Sequence, residues 1–92
     1  MNMREIIQLR ENVNGIDKRT LELLAERLEL AKKIAEKKQK AGLPILDRER
    51  EEQLKEMWEE KAKELGLEVK SISSIFEEVL NMSRQTQSKV MK

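Results

Sequence analysis

Several polar side chains stand where helical periodicity calls for apolar ones, and their types suggest the binding of a small anion. Arg10 lies four residues after Ile6 and three before Val13, Arg27 lies four after Leu23 and four before Ala31, and Lys38 lies four after Ile34. Further on, Arg50 precedes Leu54 by four residues, and Glu51 precedes Leu54 by three and Trp58 by seven. Near the end, the series Ile72, Phe76, Val79 continues to Ser83 and Gln87 before Val90. A buried unpaired charge is costly, so each such position needs an explanation. Taken singly, a cation can lay its apolar stem along a core and carry its charge to water, and Ser83 or Gln87 can serve an inter-helix hydrogen bond. Taken together, four cations, one carboxylate and two neutral hydrogen-bonding groups on inner faces suit one cavity holding an anion with two carboxylates. Arginine forks pair bidentately with carboxylates, and hydrogen bonds to charged groups contribute about 1.5 to 3 kcal/mol each.

The rest of the composition removes much other chemistry. There is no Cys and no His, which excludes disulfides, thiolate nucleophiles, the commonest neutral-pH base and the commonest metal ligand. Nineteen basic residues against eighteen acidic ones leave a formal net charge of +1, giving no general attraction to nucleic acid or an anionic membrane. No apolar run is long enough to span a bilayer, and MNMREIIQLR lacks the apolar core of a secretory signal, so the expected location is cytoplasmic.

The elements that must position these residues are helices. Charged residues make up 40% of the 92, with only three Gly and one Pro, a helix-forming mixture. From residue 3 to about 41, apolar residues at steps of three and four, with no proline, read as one long helix. Gly15 offers an alternative, ending a first helix with Asp17 capping a second. Gly42 and Pro44 break the pattern, and Asp47 caps a second helix over about 47–65, closed by Gly66 in a left-handed cap. Ser71 is expected to cap a third helix over about 71–90. The fold class is all-α, a single unit of three helices. A continuous first helix of about 60 Å exceeds by about twofold the diameter of a compact chain this size, so its far half needs a partner. A second copy running antiparallel supplies one, which links helix continuity to a homodimer.

The segments LRENVNGIDKRTLELLAERLELAKKIAEKK, LPILDRERE and SRQTQ, in this order and at these separations, resemble the all-helical chorismate mutases over nearly the whole chain. The resemblance implies an intertwined homodimer with two equivalent sites built from both chains, and a cofactor-free, metal-free rearrangement of the chorismate dianion to prephenate in phenylalanine and tyrosine biosynthesis. By position, it implies that Arg10 reaches the partner chain's site and that Arg27 binds a substrate carboxylate. Lys38 then contacts the ether oxygen, chosen over Lys37 because it follows Ile34 by one turn. Asp47, Arg50 and Glu51 match the family's Asp, Arg and Glu, with Glu51 receiving the substrate hydroxyl. Ser83 and Gln87 match the pair on the last helix, Gln87 donating to the ether oxygen beside Lys38. The expected form is a free-standing catalytic unit. A lyase of the same fold that eliminates pyruvate from isochorismate would use the same cations, and a non-catalytic helical dimerisation module would leave them dispensable.

Overall fold

The computed structural model describes residues 2–91, and among them all regular structure is helical: α1 over Met3–Ala41, α2 over Arg48–Glu64 and α3 over Val69–Val90. α1 is unbroken. Asn2 caps it through a reciprocal box with Glu5, and the helix runs through Gly15 without interruption. It ends where Gly42 enters the left-handed region at φ 69°, letting the Gly42 and Leu43 amides close on the carbonyls of Gln39 and Lys38. α2 starts on Asp47, whose carboxylate accepts the Arg50 amide at 3.1 Å. It ends in the same way as α1, with Gly66 at φ 70° and the Leu67 amide on the Ala62 carbonyl at 2.8 Å.

The start of α3 differs from the sequence expectation. Its N-cap is Glu68, which makes no side-chain capping bond, and Ser71 lies inside the first turn with its hydroxyl donating to the Glu68 carboxylate. The turn that closes α2 delivers the chain directly into helical geometry at Val69, so the amides just after Ser71, which a Ser71 cap would serve, already bond within the helix.

α3 is the central element. It packs against α1 on one side and α2 on the other, and α1 and α2 do not pack on each other. Small residues make the first contact possible, because Ala31 and Ala35 of α1 are buried and let α3 approach. Phe76 fills the second contact at 1% exposure, its ring centroid 5.2 Å from that of Trp58 in a tilted arrangement. Such an aromatic pair contributes about 0.5 to 1.5 kcal/mol beyond its buried area.

This core occupies only one end of α1. The molecule is 59 Å long and 15 Å thick, its radius of gyration is 17.1 Å, and a compact chain of this length has about 12 Å. Met3, Ile7, Leu9, Val13, Ile16, Leu21 and Leu23 all lie exposed along the first half of α1. The accessible surface is 7578 Å², against about 5,500 Å² for a compact monomer of 10.8 kDa.

Gly15 provides a test of this half of the helix. A Cβ built there meets nothing within 4 Å, so Gly15→Ala is expected to raise stability by about 0.5 to 1 kcal/mol through lower backbone entropy in the unfolded chain. Thermal unfolding checks this. A lowered midpoint would mean that another chain lies closely against Gly15 in the assembled protein.

Candidate active site

The three helices each contribute one row of side chains to a single concavity. α1 supplies Arg27, Leu30, Ala31, Ile34 and Lys38; the start of α2 supplies Asp47, Arg50, Glu51 and Leu54; α3 supplies Leu80, Ser83, Arg84 and Gln87. Every row follows the three- and four-residue steps that stack side chains along one helix face. Ile45 of the α1–α2 connection completes the wall. The cavity measures about 410 Å³, within the range of small-molecule sites. Leu30, Ile34, Ile45, Leu54 and Leu80 give it apolar lining, and the arginines and Lys38 give it positive charge.

At one end, Lys38, Gln87 and Ser83 form a hydrogen-bonded chain. Lys38 Nζ donates to the Ile45 carbonyl at 2.7 Å and to Gln87 Oε1 at 3.1 Å, and Gln87 Nε2 donates to Ser83 Oγ at 3.2 Å. An ammonium can only donate, so Lys38 fixes which way the Gln87 amide faces. One N–H of Gln87 and one of Lys38 remain uncommitted. Gln87 and Ser83 are both 8% exposed, so this end holds neutral donors at low exposure beside a cation. The bond to Ile45 also folds the α1–α2 connection back over the site.

The arginines are arranged for an anion. Among the described residues, neither Arg27 nor Arg50 takes part in an ion pair. Burial, and secondarily the like charge of Arg50, push the Arg27 guanidinium below its ordinary value. Arg27 nonetheless remains a cation at neutral pH, since arginine does not deprotonate there. Two cations held near one another without a counterion are a site for something negative. Arg84 differs, because its hydrogen bond to Glu51 raises it above the ordinary value, with burial opposing and the charges of Glu51 and Glu77 assisting.

Seven of the eight residues singled out from the sequence thus line one cavity: Arg27, Lys38, Asp47, Arg50, Glu51, Ser83 and Gln87. Arg10 does not. It is exposed on the projecting half of α1, about 25 Å along the helix from Arg27, beyond the reach of any side chain. Lys37 faces a neighbouring apolar groove with Leu30, Ile34 and Leu43, while Lys38 lies between that groove and the cavity. Arg84 was not anticipated, although it lies four residues after Leu80 and three before Gln87, the same spacing that marked the others.

The family described as chorismate mutase type II matches residues 9–88. The chain is 36% identical to a bifunctional chorismate mutase/prephenate dehydratase of Buchnera aphidicola over 87 residues, covering 95% of this chain and 23% of that protein. It is 35% identical to the T-protein of Enterobacter agglomerans, covering 86% of this chain and 21% of that one. A chorismate mutase of Methanocaldococcus jannaschii is 29% identical over 98% of this chain and 91% of its own length. The chain therefore spans about a quarter or less of the two larger relatives.

Proposed function

The chain belongs to the chorismate mutase type II family, and on that premise we propose that its cavity rearranges chorismate to prephenate. The observation that carries the reading is the cavity itself, about 410 Å³, in which Arg27 and Arg50, without ion pairs among the described residues, line the same space as Lys38, Gln87 and Ser83. In this reaction one carbon–oxygen bond breaks as one carbon–carbon bond forms, within a single molecule. No proton is transferred and no nucleophile is needed, which suits a chain without His or Cys. The work left to the protein is to hold a flexible dianion in its reactive shape and to stabilise charge developing on the ether oxygen. Arg27 and Arg50 take the carboxylates. The free donors of Lys38 and Gln87 take the ether oxygen, and Glu51 accepts the substrate hydroxyl.

The active form is a homodimer in this reading. The exposed apolar residues of α1 need cover, and the excess of roughly 2,000 Å² per chain over a compact monomer is the size of an obligate interface. An antiparallel second copy lays its exposed first half over the groove of Leu30, Ile34 and Leu43, which shares residues with the cavity. That brings the partner's Arg10 to the site as a further cation. Aromatic amino acid biosynthesis in the cytoplasm is the accompanying physiological role, with neither nucleic acid nor membrane as a partner. The chain can serve alone or within a longer protein.

Shared sites have a specific consequence. Arg10→Ala and Arg27→Ala homodimers each lose activity, but mixing the two after reversible unfolding creates hybrids with one site intact in both residues. Turnover of chorismate that neither variant shows alone is the expected result. A mixture no more active than its components would place Arg10 outside the site.

A further inference from the structure

Arg84 lines the cavity, and none of the roles above uses it. Its Nε and Nη2 donate to the two oxygens of Glu51 at 3.0 and 2.6 Å, a fork that ties α3 to α2 at the cavity wall. Nη1 adds a longer bond to Asn81 at 3.4 Å, one turn back on α3. The two cavity carboxylates are thereby treated differently. Asp47 is engaged in capping α2, whereas Glu51 owes its orientation to Arg84. Each carboxylate oxygen has two acceptor positions, so Glu51 keeps one on each after the fork has formed. A carboxylate beside a dianion site is repulsive unless its charge is matched. Arg84 offsets Glu51, which leaves Arg27, Lys38 and Arg50 against Asp47 alone among this chain's charged lining residues, a net positive cavity even before a second copy is added.

We propose that Arg84 is a positioning residue for Glu51: it matches the carboxylate's charge and turns its remaining lone pairs toward a substrate hydroxyl. The inference rests on the mutase reading of the cavity. A purely structural role would show itself otherwise, because an ion pair 39% and 21% exposed contributes little to stability.

The test is steady-state kinetics on chorismate for Arg84→Gln, Arg84→Lys, Glu51→Gln and the Glu51→Gln/Arg84→Gln double variant, with melting temperatures for each. Arg84→Gln is expected to raise KM about tenfold, with a smaller change in kcat and little change in melting temperature. Arg84→Lys recovers part of that loss, since lysine restores the charge but not the fork. In the Glu51→Gln background, Arg84→Gln costs less than about threefold in kcat/KM, because no carboxylate is left to position. A wild-type KM in Arg84→Gln overturns the proposal. So does a full tenfold loss that persists without Glu51, which would mean that Arg84 meets the substrate itself. Wild-type turnover with an unaffected Arg84→Gln removes this inference alone, whereas an inactive wild type removes the mutase reading along with it.

Discussion

Lys38→Ala is expected to lower kcat on chorismate by about a thousandfold. Removing one preorganised donor from a site of developing negative charge costs about a hundred- to a thousandfold, and an ammonium belongs at the upper end of that range. The geometry adds a second loss. Lys38 is the group that orients the Gln87 amide, since Oε1 accepts from Nζ at 3.1 Å. Without Lys38 the amide is free to turn its oxygen toward the ether oxygen, exchanging a donor for a repulsive acceptor. The bond to the Ile45 carbonyl disappears too, loosening the α1–α2 connection over the cavity. Steady-state kinetics together with thermal melting separate these effects, because loosening one exposed connection leaves the helical core intact. A kcat within tenfold of the wild type would show that Lys38 does not meet the reacting atoms.

Arg27→Ala is expected to reduce kcat/KM by about a hundred- to a thousandfold, mostly through KM, without loss of folding stability. Truncating one partner of a desolvated, hydrogen-bonded charge pair costs about 2 to 5 kcal/mol. The stability side follows from the direction of the Arg27 shift. A cation whose pKa is lowered by folding disfavours the folded state at every pH below its folded value, which for arginine includes the whole neutral range. Removing it relieves that cost, set against the modest packing lost with its stem. Activity and stability therefore move apart in this variant. Calorimetry beside kinetics reads both, and a large fall in melting temperature accompanying the lost activity would make Arg27 a structural residue.

Much of this arrangement was legible in the sequence, for physical reasons that vary by position. The stripe from Ile6 to Ile34, without proline, leaves a helix as the natural reading. Gly15 made the continuity ambiguous, since one glycine costs about 1 kcal/mol in a helix and can also end one. In the structure neighbouring turns carry the helix through it. Asp47 was readable as a cap because a carboxylate before a helical run has a local job to do. Ser71 had the same credentials and was misplaced, because the turn at Gly66 and Leu67 fixed the start of α3 three residues earlier. Arg27, Lys38, Ser83 and Gln87 betrayed themselves by interrupting apolar stripes. Arg84 shares their spacing, yet the residue that gives it meaning is Glu51, 33 positions away on another helix. Periodicity reports which face a side chain is on and not which neighbour it meets there. The same limit applies to Arg10, whose proposed site lies in another copy of the chain.

The decisive measurement is to incubate the purified wild-type protein with chorismate, follow the loss of substrate absorbance and identify the product by its acid conversion to phenylpyruvate. Saturable turnover with prephenate as the product and no requirement for an added cofactor is the expected result. A folded protein that leaves chorismate unchanged while releasing pyruvate from isochorismate would contradict it and make the chain a lyase. A folded protein inert toward both substrates would leave the unpaired arginines as the binding site of some other anion.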